Sequence, residues 1–397
     1  MGERVAGTNG LKAIVIGGGI GGVTTAYALN KQGMEAEVYE QADDLRKIYV
    51  GSGIHMWNNA MRALKEIGLA KAVEDATGPD AVVEHMQIVG HTGKIIADVP
   101  LGDIGRRIGG HCVGINRAEL LPLLGSQLDE GVLRVNSKFS GFTADDSGVT
   151  ARFEDGSEAR GDILIGADGV FSIVRKQLHG ESKPRYAGYT IWQGIVPTFD
   201  HPDAPIGLFP IIYGPGLRFA FYRVGGARLY WFAVANAAEG GKDPEGSIKP
   251  MLAERFKGWP SPVEEVIAAT EEGVIHRRDL YDRDPVKEWG EGRVTLLGDA
   301  AHAMTFDVGQ GAGQSIEDAL VLSRYLTEDS DPVAALRRYE QRRMPRTAHM
   351  QKLSRFIGTI GKWDSPASMK LRGVITWMMF NNPIAYRKFQ QDLTYKF

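Results

Sequence analysis

Residues 11–40, LKAIVIGGGIGGVTTAYALNKQGMEAEVYE, change period at one point, and that change decides the fold. Ala13 to Ile16 form a short unbroken apolar run, the pattern of a parallel strand buried on both faces. Glycines follow at 17, 19 and 22. Val23, Ala26, Leu29 and Asn30 then recur at helical spacing up to Gly33, which is placed to end a helix. A second strand, Ala36 to Tyr39, runs into Glu40. Strand, glycine turn, helix, strand is a dinucleotide-binding unit. Gly17 allows the tight turn, Gly19 lets a pyrophosphate approach the backbone, and Gly22 lets the helix pack closely on the strand. The helix beginning at Ile20 turns free N–H groups and a partial positive charge toward the anion. Glu40, with Gln41 beside it, is placed to accept hydrogen bonds from a ribose, and an acid there disfavours a 2′-phosphate. Glycine turns alone are weak signals in a chain with 50 glycines; here strand, helix and acid appear in register.

Working outward, 397 residues at 43% apolar content describe a globular chain of two or three domain-sized units with a sizeable core. A net charge of −3 gives no footprint for nucleic acid or an acidic membrane surface. The single cysteine, Cys112, excludes an internal disulfide and fits a reducing, cytoplasmic compartment. The polar stretch MGERVAGTNG does not read as a secretory signal, and a disordered tail is expected over 1–10. No apolar run reaches the roughly 18 to 20 residues of a membrane span. The longest, VITWMMF (374–380), is read as packing onto the body rather than lying in a membrane interface.

Two further signals lie far downstream. DILIGADGVFSIVRKQL (162–178) is an apolar strand running into Gly166, Asp168 and Gly169, then a helix carrying Arg175. RVTLLGDAAHAMTFDVGQGAGQ (293–314) is again strand, glycine, aspartate and turn, followed by a glycine loop that opens a helix. The loop's Asp299 and His302 also read as a hydrolytic acid–base pair. Each turn alone is ordinary loop punctuation. In the order GxGxxG, GADG, GDAAH, the chain resembles the group A flavoprotein monooxygenases, single-component aromatic hydroxylases similar to para-hydroxybenzoate and salicylate hydroxylases. GSGIHMWNNAMRALKEIGL (51–69) and VGINRAELLPLL (113–124) are weaker matches to the same family.

The resemblance implies an α/β fold: a Rossmann-like FAD-binding domain, an interleaved antiparallel-sheet substrate domain and C-terminal helices. Its expected bounds are 11–75, 105–178 and 276–345 for the FAD domain, 76–104 and 179–275 for the sheet domain, and 346–397 for the helical end. It also implies FAD as cofactor, held by Gly17, Gly19, Ile20, Gly22, Glu40, Gln41, Arg46, Arg117, Asp168, Gly169, Asp299, Gly309, Gly311 and Ala312. For Arg46 a solvated surface role is an equal reading. Asp299 is then an acceptor for the ribityl chain, and His302 a residue that fixes the backbone.

Between the second and third motifs, TIWQGIVP, IGLFPIIYG, RFAFYRV and ARLYWFAVA read as antiparallel strands. Pocket candidates are His55, Trp192, Arg218, Phe219, Phe221, Tyr230, Trp231, Ala303 and Phe306, with His55, Arg218 and Tyr230 the candidates for a catalytic part; for any one aromatic, core packing of the sheet is the favoured reading, and for His55 a structural role is an equal one. Period two sets Phe219 and Phe221 on one face and Arg218 on the other, without saying which faces the pocket. Relatives often have arginine at Gln193 and prolines at Ala303 and Phe306, so a strong anionic anchor is not expected at Gln193. By resemblance the reaction is insertion of one oxygen atom from O2 into an aromatic or polycyclic molecule through a flavin C4a-hydroperoxide, with NADPH or NADH as transient reductant. Alkene epoxidation and flavin-dependent reduction or dehydrogenation are the alternatives. The expected partners are a small aromatic substrate and O2, in a monomer or homodimer. No metal motif is read.

Overall fold

A computed structural model describes residues 10–48 and 52–397; apart from Gly10, the expected disordered tail lies outside the described residues. The fingerprint strand Lys12–Ile16 is central in a five-stranded parallel sheet. It pairs on one side with Glu35–Tyr39 and on the other with Ile163–Gly166, which pairs in turn with Val294–Leu296. Register matches Ile16 with Gly166 and Gly166 with Leu296. Three strands so aligned end level, and the glycine turns that follow them therefore share one edge. The helix Ile20–Lys31 runs back from the first turn, and Gly33 stands at φ 83° just beyond its end.

A seven-stranded sheet forms the second layer, in the order His276–Asp282, Arg185–Val196, Leu229–Asn236, Leu217–Arg223, Leu208–Tyr213, His85–Gly90, Ile95–Pro100. Its pairs are antiparallel except Leu208–Tyr213 with His85–Gly90. The strand His276–Asp282 corrects the expected boundary at 275, because its backbone pairs with Arg185–Val196 and not with the parallel sheet. The boundary at 345 also moves: Pro332–Gly361 is one continuous 30-residue helix with Pro345 inside it. The helices Pro366–Asn381 and Pro383–Leu393 follow as a hairpin. VITWMMF lies in the first of them, with Thr376 buried against the body and Val374, Trp377 and Met378 exposed. No helix among the described residues is long and apolar enough to cross a membrane.

Candidate functional site

The shared edge of the parallel sheet opens into a cavity of about 420 Å³ that continues beneath the seven-stranded sheet. Gly19, Ile20, Arg117, Ala167, Gly169, Asp299, Gly309, Gly311 and Ala312 line its sheet-edge end. The glycines here are required by space. A Cβ on Gly17 or Gly22 would collide with the Ala167 or Gly17 carbonyl, whereas one on Gly19 would meet nothing within 4 Å. Gly17 and Gly22 thus close the turn, and Gly19 leaves an open cradle. The helices Ile20–Lys31 and Gly311–Glu328 both begin at this cradle without a side-chain cap or a first-turn acid. Their N–H groups and positive dipole ends remain for an anion or for developing negative charge.

The two motif aspartates differ. Asp299 lines the cavity. Asp168 does not: its carboxylate accepts from the Ser172 hydroxyl and from Ile173 and Val174 N–H, at 2.7 and 3.2 Å to the last two. It fixes the turn before the helix Ile173–His179, and burial raises its pKa against these bonds. Glu40 likewise holds the fingerprint turn, accepting from Gly18 N–H at 2.7 Å and Ala42 N–H at 2.8 Å. Gln41 and Arg46 are exposed and outside the cavity, and Arg46 is paired with Asp44 at 2.6 Å.

Behind the GDAAH turn, His302 Nε2 lies 2.6 Å from Asp318 Oδ2, which also accepts from Gly298 N–H at 3.0 Å. Arg343 donates to Asp318 at 2.7 Å and to Glu317 at 2.6 Å, and all of these side chains are buried. Burial opposes both carboxylate charges, but Arg343, with His302 for Asp318 and Arg346 for Glu317, holds their pKa values below the ordinary range. The pairing of His302 and Asp318 anchors the loop from behind, and His302 does not line the cavity.

At the other end, sheet register decides which residues face inward. Ile191 pairs with Val234, Val234 with Arg218 and Arg218 with Tyr213; Gln193, Phe232, Ala220 and Ile211 make the next transverse row. Arg218, Gln193, Tyr213, Tyr222, Tyr230 and Phe232 line the cavity. Trp192, Phe219, Phe221 and Trp231 project from the opposite face, which corrects their expected place in the pocket. That face is an apolar core under the helices Ile248–Arg255 and Val263–Ala269, where burying four large aromatic groups outweighs exposing them. Their polar edges are satisfied there, Trp192 by Asp243 at 2.6 Å and Trp231 by Thr270 at 2.8 Å. Ala303 is also outside the cavity, its carbonyl accepting from Arg283 N–H and Gln351, each at 3.2 Å. Phe306 is a wall, with its ring centroid 5.1 Å from that of Phe232.

The polar groups in this apolar chamber come in pairs. His55 Nε2 lies 3.1 Å from Cys112 Sγ, and burial pushes the imidazole down to about 3 and the thiol up. Both are neutral near pH 7, so His55 has no proton to give as an imidazolium. Tyr230 donates to Gln193 Oε1 at 2.8 Å, and burial raises its phenol. Arg218 donates through Nη1 to Asp307, which also accepts from Tyr189. Burial works against the Arg218 charge, Asp307 more than restores it, and the guanidinium is held above its ordinary range. Among the described residues its Nε and Nη2 have no hydrogen-bond partner; both are buried, with the guanidinium over the rings of Tyr189, Tyr213 and Phe306. Asp307, Tyr189 and Tyr213 were not read from the sequence as site residues; for Tyr213 the period-two phase shared with Arg218 across the sheet is a signal that could have found it.

An open glycine cradle between two bare helix N-termini, continuous with an apolar chamber, defines a dinucleotide-cofactor redox site. Residues 11–354 match the FAD binding domain family. Aurachin C monooxygenase/isomerase of Stigmatella aurantiaca is 37% identical over 95% of this chain and 97% of its own length. The FAD-dependent urate hydroxylase of Klebsiella pneumoniae is 33% identical over 85% of this chain and 86% of its own. The crystal structure of Klebsiella pneumoniae HpxO complexed with FAD and uric acid superposes with a TM-score of 0.88 at 30% identity, covering 96% of each chain. The chain therefore belongs to the FAD binding domain family and is a flavoprotein monooxygenase of the group A type.

Proposed function

We propose that this monooxygenase uses a nicotinamide reductant to insert one oxygen atom from O2 into a largely apolar aromatic molecule that carries one neutral acceptor group. The observation that carries the substrate class is the chamber's wall, largely apolar and aromatic side chains with Gln193 and the Arg218–Asp307 pair among its polar residues. Asp307 already balances the guanidinium charge, so a carbonyl or hydroxyl oxygen fits better than a second carboxylate.

FAD, when bound, takes up the hydride and activates O2. The residues placed to hold it are Gly19 and Ile20 at the pyrophosphate, Asp299 at the ribityl chain, and Gly309 to Ala312 at the ring, with Arg117 alongside. Glu40 and Asp168 act one step back, by fixing the turns that present those backbone groups. The chain's remaining task is orientation and exclusion of water: Phe232, Phe306 and Tyr222 shield the chamber while Arg218 sets the substrate's direction.

The test is oxidation of NADH or NADPH by the yellow, FAD-loaded protein with apolar phenols, quinolones and polycyclic ketones under isotopically labelled O2. One labelled oxygen in the product, with reductant consumption stimulated by substrate, is expected. Reductant consumption that yields only hydrogen peroxide with every compound, or product formed equally well without O2, overturns the reading.

A further inference from the structure

The helical hairpin of Pro366–Asn381 and Pro383–Leu393 has two dissimilar sides. Its inner side belongs to the cavity, where Thr376, Met379, Phe380 and Phe389 form part of the wall. Its outer side is apolar and open: Leu371, Val374, Trp377 and Met378 are 51–55% exposed and Ile384 is 82% exposed. Leu371, Val374 and Met378 fall at helical spacing on one stripe, with Trp377 and Ile384 extending it. The neighbouring strand Ile95–Pro100 meets the hairpin through Asn381, which donates to Ile96 O at 3.3 Å, and its Ile95 is 53% exposed. Scattered single apolar residues need no explanation, but a contiguous set on one hairpin does.

Charge narrows what covers it. From Pro366 to Gln391 the sequence carries Lys370, Arg372, Arg387 and Lys388 and no acidic residue, against a chain that is net negative. Arg372 is turned inward onto the carbonyls of Trp363 and Gly214 at 3.0 and 2.9 Å, whereas Lys370, Arg387 and Lys388 are exposed. A second copy docking through the same patch would gather these cations from both hairpins in one interface, with no acidic residue between Pro366 and Gln391 of either to meet them. A surface of opposite charge with an apolar interior accepts both features at once.

We infer that the hairpin is a membrane-surface anchor that lays Leu371, Val374, Trp377, Met378 and Ile384 into an anionic lipid bilayer, with Lys370, Arg387 and Lys388 at the headgroups. Docked so, the cavity wall formed by Met379, Phe380 and Phe389 stands directly above the lipid phase, from which an apolar substrate is taken. The source of substrate rests on the proposed function; the anchoring does not.

The experiment is co-sedimentation of the full-length, FAD-loaded protein with vesicles of phosphatidylcholine alone and of phosphatidylcholine mixed with phosphatidylglycerol. Binding to the anionic vesicles, weak binding to the neutral ones, and weakening by salt are expected. The combined variant Lys370→Gln, Arg387→Gln, Lys388→Gln loses roughly fivefold in partitioning per removed charge. Trp377→Ser with Ile384→Ser abolishes it while retaining flavin absorbance and the thermal midpoint, since both side chains face solvent. Folded, yellow protein that stays in the supernatant with anionic vesicles overturns the inference. So does a dimer in sedimentation velocity that the Trp377→Ser, Ile384→Ser variant converts to monomer, which assigns the patch to a second copy. Vesicle binding without oxygen insertion would leave the anchor standing and remove the proposed function; the reverse result would do the opposite.

Discussion

Two buried arginines, Arg343 and Arg218, make opposite use of similar surroundings. Arg343 is saturated: Nε reaches Asp318 at 2.7 Å, Nη1 reaches Glu317 at 2.6 Å, and Nη2 reaches the Gln314 side chain at 2.8 Å. Arg218 spends one nitrogen on Asp307, and its buried Nε and Nη2 have no hydrogen-bond partner among the described residues. A satisfied buried network rigidifies what it touches, here the GDAAH turn and the first turns of Gly311–Glu328. An unsatisfied one is a standing cost to the folded protein, of the sort found where a ligand completes the set. The two sites divide the work between holding the loop and meeting what enters the chamber.

Removing Arg343 gives the largest effect. Arg343→Met leaves Asp318 and Glu317 buried with one partner each, His302 at 2.6 Å from Asp318 and Arg346 at 3.3 Å from Glu317. We expect about 3 kcal/mol of lost stability, together with loss of bound flavin, read by thermal unfolding and by absorbance of the purified protein. A variant that unfolds like the parent would show that the network is not what holds the loop.

Arg218→Lys separates the functions of the second pair. Lysine keeps a cation for Asp307 but withdraws the planar donor edge. Flavin affinity should be unchanged, while KM for an acceptor-bearing aromatic rises by a factor corresponding to about 2 kcal/mol, with little change for an analogue lacking the acceptor. Equal losses on both compounds would make Arg218 a purely structural residue like Arg343.

The smallest effect near neutral pH concerns His55, the uncharged member of the chamber. Its folded pKa, about 3, lies below the ordinary 6.5, so the unfolded chain binds the extra proton. Stability is therefore untouched above pH 6.5 and falls as pH drops from there toward 3, by up to about 1.4 kcal/mol per pH unit for this one group. His55→Gln should flatten that part of the profile in urea titrations at pH 5 and 7. A parent-like slope in the variant would mean that His55 is protonated in the native protein.

Much of this architecture was legible because its determinants are local. Gly17, Gly19 and Gly22 carry their own steric reasons, and a strand must precede them and a helix follow. Three strand-to-glycine turns in one order specify a parallel sheet with a shared edge, since each strand ends where its turn begins. Gly309, Gly311 and Ala312, expected from the family resemblance, line the cavity at that edge. Local reasoning did not distinguish Asp168 from Asp299, because which carboxylate is consumed by a neighbouring helix start depends on how the turn closes.

The sequence by itself thus determined the fold class and the glycine turns at the shared sheet edge, where period and glycine sterics act within a few residues. Tertiary structure alone decided the substrate end. Period two offers two equivalent faces, and only packing against Ile248–Arg255 and Val263–Ala269 turned Trp192, Phe219, Phe221 and Trp231 away and Arg218 inward. The pairing of Arg218 with Asp307 joins positions 89 residues apart, and the C-terminal hairpin closes a cavity begun at Gly19. Contacts of that span follow from how the layers stack, which no local pattern encodes.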